Sequence, residues 1–401
     1  MTAGKQRSLA ILYDAAYPFM DGGGQRRIFE IAKAFVAAGW QVDWYAMHTW
    51  DGEPHQERAG IVYHGLGGPM HFYGADGRRS LRQALAYGWA VLFSRADFSS
   101  RDLVWCGQWP FLHLLALFLR LIPWRTHLLV DWWEVWGRQR WLHYHRILGL
   151  GGWLLEVLLV NLVSRVGHIV AISALGAKQI AQQGGVPSHI HYIPNGIDLN
   201  RLDTVPAAEG AVDLISFGRL ADHKNIDHLL YALALLKDDG LVLRADIVGD
   251  GPVRPALERI TNERGIAEQV TFHGRLDDAC LAGFLKRATL FVHPSTKEGG
   301  GSITLLEANA CGLPVICYRH PLGIDPALVI EGQTGCLVSP VAPRALADAI
   351  AVMLKSASDG ALKEGCRRYA ARFEWHVIAA EYLALADRLV GSAMTPIGEK
   401  A

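Results

Sequence analysis

The sequence predicts an α/β protein made of two doubly wound parallel sheets, each covered by helices. Three observations predict it. Short apolar runs alternate with helical-period segments along all 401 residues, the pattern of parallel strands joined by crossover helices. A chain of that length exceeds one ordinary domain and suits two of about 150–200 residues each. Between two stretches of the alternating pattern lies Ile193-Pro-Asn-Gly-Ile-Asp198, followed by Asp203-Thr-Val-Pro-Ala-Ala-Glu-Gly210, rich enough in turn formers to read as a linker.

In the first half, Leu9-Ala-Ile-Leu-Tyr13 reads as a strand, residues 25–38 as a helix stopped by Gly39, and residues 41–46 as the second strand. Residues 128–131 and 168–172 supply later strands, with Ser173 as the N-cap of the next helix. The second half begins at Val212. Its strands fall at 212–217, 242–248, 270–272, 290–293 and 314–317, and residues 342–354 and 375–389 form terminal helices. Open α/β sheets bind ligands in the crevice at the carboxyl ends of their strands, so two such sheets facing across a cleft place the site in loops that follow strands.

Composition narrows the function classes. With 51% apolar and 19% charged residues the chain is a packed globular protein, and a formal net charge of zero argues against a nucleic-acid binder relying on bulk positive charge. The six cysteines form no CxxC pair and several sit in apolar runs, so they read as buried thiols of a reducing cytoplasm. The polar start, Met1 to Ser8, lacks the tripartite pattern of a secretory signal, so a cytoplasmic location is expected. The apolar stretches at 111–119 and 148–160 are interrupted by His113 and Glu156 and fall short of the roughly 18–20 residues that cross a bilayer.

Three loops carry the chemistry. After the strand at 212–217 comes Gly218-Arg219-Leu-Ala-Asp-His-Lys224-Asn225, where Gly218 lets backbone approach a ligand, Arg219 offers a planar fork to phosphate oxygens and Lys224 a point charge. After the strand at 242–248 comes Gly249-Asp-Gly-Pro252, a glycine turn before a helix. After the strand at 290–293 comes Glu298-Gly299-Gly300-Gly301-Ser302, running into a helix that contains Glu307. Glycines ahead of a helix N-terminus cradle an anion, because no side chain blocks the approach and backbone N–H groups point at it. Glu307 can accept two hydroxyl hydrogen bonds from a ribose, and Glu298 suits sugar hydroxyls.

In this order and spacing the motifs resemble those of the family 4 retaining glycosyltransferases of the GT-B fold, whose two Rossmann-like domains face across a cleft. The resemblance spans nearly the whole chain. It is carried by Gly22-Gly-Gly24, Val170-Ala-Ile-Ser173, Ile193-Pro-Asn-Gly-Ile-Asp198, Phe217-Gly-Arg-Leu with Lys224, Val248-Gly-Asp-Gly-Pro252, Val270-Thr-Phe-His-Gly274, the two-glutamate loop, Gly335-Cys-Leu-Val338 and the Trp375 helix.

The resemblance implies an acceptor-side domain over 1–195, a nucleotide-sugar domain over 196–373, and a last helix at 374–401 that returns toward the first. It implies that Arg219 and Lys224 hold the donor diphosphate, that Glu307 holds the ribose, and that Glu298 contacts the transferred sugar with the backbone of Gly299, Gly300, Gly301 and Ser302. Gly218 and Gly249 line the donor site, Arg275 lies over the base, and Gly23 and Gly24 approach the phosphate from the first domain. Trp133 and Glu134 fall on the acceptor side. Two departures stand out. Eight residues separate Glu298 from Glu307 where the family has seven, and Trp133 stands near a position where many relatives carry histidine.

The expected partners are a UDP- or GDP-linked sugar and a saccharide, lipid-linked or small-molecule acceptor. No cofactor or metal is expected, because the sequence has no Asp-x-Asp pair and no HExxH. Residues 120–146 carry five arginines against Asp131 and Glu134, with five tryptophans among them, ahead of an apolar segment at 147–163. That combination suits an anionic membrane surface, which would put the protein peripherally on the inner face of the cytoplasmic membrane; the competing reading is a helix buried with aromatics in the core. A non-hydrolysing nucleotide-sugar epimerase and an inactive scaffold share the architecture. A dinucleotide dehydrogenase fits poorly, because the first glycine cluster begins nine residues after Tyr13, too far for the tight turn of a GxGxxG fingerprint.

Overall fold

A computed structural model describes residues 6–68, 81–298, 301–357 and 360–391. The chain divides into two compact units, Met1–Pro194 with Trp375–Ala401, and Asn195–Glu374.

The first unit holds strands β1 (Ser8–Leu12), β2 (Gln41–Met47), β3 (His55–Arg58), β4 (Ile61–Leu66), β5 (Leu103–Gly107), β6 (His127–Trp132), β7 (His168–Ala171) and β8 (Ile190–Tyr192), and helices α1 (Gly23–Ala37), α2 (Leu81–Phe93), α3 (Leu112–Leu119), α4 (Gly137–Val166) and α5 (Ala174–Gln182). The sheet order is β3-β4-β2-β1-β5-β6-β7-β8, and among the described residues only the β3–β4 pair is antiparallel. Every residue of β1 and β5 is buried, as expected of strands covered on both faces. The polar β3, reading His-Gln-Glu-Arg, closes the exposed edge and shows no apolar pattern by which sequence could find it.

The second unit holds α6 (Leu199–Thr204), β9 (Val212–Phe217), α7 (Ile226–Asp238), β10 (Ala245–Val248), α8 (Arg254–Glu263), β11 (Val270–Gly274), α9 (Asp278–Arg287), β12 (Ala288–His293), α10 (Ile303–Ala310), β13 (Val315–Tyr318), β14 (Gly335–Val338), α11 (Pro343–Ala357) and α12 (Gly360–Ala370). Its six strands are parallel in the order β11-β10-β9-β12-β13-β14. The last helix, α13 (Trp375–Gly391), belongs to the first unit and packs along α1.

That packing encloses an ion pair. Arg27 of α1 donates through Nε to Asp131 Oδ2 at 3.1 Å and through Nη2 to the Ile193 carbonyl at 2.8 Å and the Tyr382 hydroxyl at 2.7 Å. Tyr382 of α13 and the Trp105 indole both donate to Asp131 Oδ1, at 2.6 and 3.0 Å. Arg27 and Asp131 are closed off from solvent, so the cost of burying each charge is met by its partner and by these bonds.

Two expectations are corrected and one pair of readings is decided. The segment Leu148–Val166 of α4 is 19 residues long and, by length and composition, apolar enough to cross a membrane, although 33% of it is buried in the protein. Glu156 does not interrupt it, because its carboxylate is buried and accepts from the Trp136 and Gly137 backbone N–H groups and the Trp141 indole. Second, of the two readings of the aromatic stretch, packing in the core holds for Trp132, Trp136 and Trp141, which pack with Trp109 and Phe111, with 4.9 Å between the Trp136 and Trp141 ring centroids. The exposed apolar area comes from Leu148, Leu154 and Leu158 instead, at 74%, 53% and 48% exposure. Third, Cys280 is exposed, unlike Cys106, Cys311, Cys317 and Cys366, because it lies in the first turn of α9 with its N–H capped by Asp277.

Candidate functional site

In the second unit the loops after β9, β10, β11 and β12 emerge from the carboxyl ends of neighbouring parallel strands. The β9 and β10 loops are locked backbone to backbone: Gly218 N–H donates to the Val248 carbonyl and Leu220 N–H to that of Asp250, both at 3.0 Å. A Cβ on Gly249 would meet the Gly218 carbonyl oxygen at 1.9 Å, and one on Gly251 would meet that of Leu220 at 2.0 Å. These two glycines are therefore required by loop packing. Gly218 itself has φ 141°, in the region that favours glycine, and opens toward Lys224.

Lys224 closes a single turn of 3-10 helix, Asp222–Lys224, after which Asn225 adopts a left-handed φ of 48°. From there the Asn225 amide donates to the Pro294 carbonyl at 2.9 Å and the Thr296 hydroxyl at 3.1 Å, while Thr296 N–H donates to the His223 carbonyl. The β9 and β12 loops are thereby fastened together. Lys224 Nζ donates to Glu298 Oε1 at 2.5 Å, and His293 Nε2 lies 3.0 Å from the same oxygen. Burial acts to raise the Glu298 pKa, but the bond and charge of His293 and those of Lys224 outweigh it and hold the carboxyl far below the usual range. His293 lines a narrow recess with Ser216, Phe217, Gly218, Arg219 and Lys224. It is missing from the sequence expectations, its only signal being a histidine that ends an apolar strand directly before Pro294.

Glu307 lies in the second turn of α10, whose N-cap is the buried Ser302. Its Oε1 accepts from Arg201 Nη2 at 3.3 Å, and Arg201 is held on its other side by Asp278 at 2.9 Å. Arg201, on the short helix α6, is a second residue missed from sequence. Arg219 is exposed at the rim of the recess, and Arg275 is exposed beyond β11, where Gly249 N–H donates to the Gly274 carbonyl. Gly301 precedes the α10 cap, whereas Gly299 and Gly300 lie outside the described residues.

The first unit gathers its own cluster. Trp133, just past β6, stacks edge-on against Tyr13 with ring centroids 5.0 Å apart. A Cβ on Gly24 would meet the Trp133 ring at 2.7 Å, so the Gly23–Gly24 start of α1 lies directly under the indole. The buried Gln108 holds this turn: its carbonyl accepts from the Trp133 N–H and its amide donates to the Glu134 carbonyl at 2.7 Å. The Glu134 carboxylate is engaged by the Trp136 indole at 3.1 Å and by Arg140.

Among the described residues no group of three or more His, Cys, Asp or Glu is placed to hold a metal ion. The chemistry on offer in the second unit is cationic and hydrogen-bonding. An ammonium, a guanidinium and a helix N-terminus suit a phosphate group, and two carboxylates held by cations suit hydroxyls.

Both halves of the chain resemble known glycosyltransferases. A family model described as glycosyl transferases group 1 matches residues 203–373, and one described as glycosyl transferase 4-like domain matches 22–196. A GDP-mannose-dependent α-(1-6)-phosphatidylinositol monomannoside mannosyltransferase of Mycobacterium tuberculosis is 28% identical over 275 residues, covering 62% of this chain and 68% of that protein. A D-inositol 3-phosphate glycosyltransferase of Geodermatophilus obscurus is 31% identical over 260 residues, covering 59% and 57%. Among solved structures, sucrose-phosphate synthase from Thermosynechococcus elongatus superposes with a TM-score of 0.76 at 21% identity, over 97% of this chain and 100% of that one. Anabaena HepE in complex with UDP gives 0.70 at 19% identity, over 96% and 100%, and both likenesses concern the fold.

Proposed function

The chain belongs to the glycosyl transferases group 1, with a glycosyl transferase 4-like domain in its first half, and on that premise we propose that it transfers a sugar from a UDP- or GDP-linked donor with retention of configuration and without a metal. The observation that carries the reading is that Arg219 and Lys224 line one recess at the strand ends, with Glu298 bonded to Lys224. GDP-mannose in the names of relatives and UDP in those of structural neighbours support a nucleotide-sugar donor.

As the bond between the anomeric carbon and the diphosphate breaks, negative charge grows on the departing oxygen. Arg219, Lys224 and the N-terminus of α10 are the groups that stabilise it. The acceptor oxygen forms its bond to the anomeric carbon on the face the diphosphate leaves, and the departing phosphate takes the acceptor proton. Glu307 holds the ribose hydroxyls and Glu298 a hydroxyl of the transferred sugar. Trp133 and Glu134 face the acceptor, which is a saccharide, a lipid-linked sugar or a small molecule. The exposed Leu148, Leu154 and Leu158 of α4, with the exposed Arg138 in its first turn, suit an anionic membrane, where a lipid-linked acceptor would be met.

The test is transfer from UDP- and GDP-sugars in excess EDTA, with the anomeric configuration of the product read by proton NMR. Retained configuration and activity within about tenfold of the EDTA-free rate, roughly 1.4 kcal/mol of barrier, support the reading. An inverted product, or a larger loss restored by magnesium or manganese, overturns retention or metal independence respectively.

A further inference from the structure

Both bonds to Glu298 fall on one oxygen. Lys224 Nζ at 2.5 Å and His293 Nε2 at 3.0 Å converge on Oε1, and Oε2 has no protein partner among the described residues. His293 is only 2% exposed and sits at the last position of β12, so the sheet fixes its ring. The carboxylate is therefore clamped at one oxygen by two donors, one on the loop after β9 and one at the end of β12, with the other oxygen left to accept further hydrogen bonds. One of those donors has a second task. On the reading above, Lys224 also meets the donor diphosphate, and a carboxylate and a diphosphate beside one ammonium repel each other.

We propose that His293 is the positioning residue of the donor site: it holds Glu298 Oε1 while Lys224 turns to the diphosphate, and so keeps Oε2 aimed at the transferred sugar. The inference rests on the nucleotide-sugar reading of this site. In that arrangement Glu298 is an internal anion that competes with the diphosphate for Lys224, and His293 relieves the competition by giving the carboxylate another partner. A donor at Nε2 is all this requires, and either the imidazolium or the neutral tautomer protonated at Nε2 provides it.

The experiment is a double-mutant cycle read by titration calorimetry with UDP and GDP, alongside steady-state transfer, with circular dichroism confirming that each variant is folded. His293→Phe keeps the bulk but removes the donor, and it should weaken binding of the nucleoside diphosphate about three- to tenfold. In a Glu298→Gln background the same substitution should change binding less than about twofold, because the competing charge is gone. Glu298→Gln alone should bind the diphosphate as tightly as wild type or tighter while its turnover falls. His293→Gln, which restores an N–H near the Nε2 position, should recover most of the lost affinity. Equal losses from His293→Phe in both backgrounds would show a merely structural histidine and overturn the proposal, as would weaker diphosphate binding by Glu298→Gln. If wild type binds neither nucleotide, the donor-site reading itself fails and this proposal falls with it.

Discussion

Arg201 Nη2 stands 3.3 Å from Glu307 Oε1, so the carboxylate assigned to the donor ribose is already oriented by a cation from the short helix α6. Glu307→Ala should weaken donor nucleotide binding by about 1.5–3 kcal/mol, the range for hydrogen bonds to a charged group. Arg201→Ala removes only the orienting partner in a partly buried pair and should cost less, about 1 kcal/mol. Calorimetric titration checks both, and a folded Glu307→Ala protein that binds like wild type removes this residue from the site.

The buried Arg27–Asp131 pair ties α1 to β6 and, through Tyr382, to α13. Asp131→Ala leaves Arg27 charged and unpaired in the interior, which should cost about 3–5 kcal/mol of stability. Urea unfolding followed by circular dichroism measures it, and a loss under about 1 kcal/mol would mean that solvent reaches the guanidinium.

Stability should also fall in mild acid. Burial, with His189, His191 and His127 nearby, pushes His168 from its ordinary value down to about 4, and its Nδ1 lies 3.0 Å from His191 Nε2. The folded state keeps this ring neutral while the unfolded chain takes up a proton near pH 6.5, so stability present above that value is lost as pH drops toward about 4. His168→Phe should flatten the dependence of the melting temperature on pH in that window. Identical slopes for wild type and variant would contradict the assignment.

If the exposed leucines of α4 rest on a membrane, the protein should pellet with anionic vesicles at low salt and release as salt rises. Changing Leu148, Leu154 and Leu158 together to serine should abolish pelleting. No binding of wild type at low salt rejects the membrane surface.

The strand and helix alternation was legible because buried parallel strands such as Leu9-Ala-Ile-Leu-Tyr13 and Val212-Asp-Leu-Ile-Ser-Phe217 are mostly apolar runs, the second leading directly into a glycine loop. What escaped depends on contacts between distant segments. The polar edge strand β3 carries no pattern, His293 gains meaning only beside Glu298, and Arg201 only beside Glu307. Tryptophans at 132, 136 and 141 left surface and core both open, because composition does not say which neighbours a ring packs against, here Trp109 and Phe111 from the preceding loop. Glycine motifs were visible, but the sequence could not show that Gly249 and Gly251 are required by the neighbouring loop.

On the proposed reading Lys224, at the recess it shares with Arg219, stabilises the departing diphosphate, so turnover of Lys224→Ala is the decisive measurement. Charge on the leaving oxygen is greater in the transition state than in the bound donor, so turnover should suffer more than affinity. Steady-state transfer at saturating donor, with circular dichroism confirming a folded variant, should show a fall of about 10²–10³-fold, as for removal of one preorganised oxyanion donor. Adding Arg219→Ala should lower the rate by less than the product of the single effects, because the two groups act as a unit. A folded Lys224→Ala enzyme within about threefold of wild-type turnover, under 1 kcal/mol of barrier, would contradict the account.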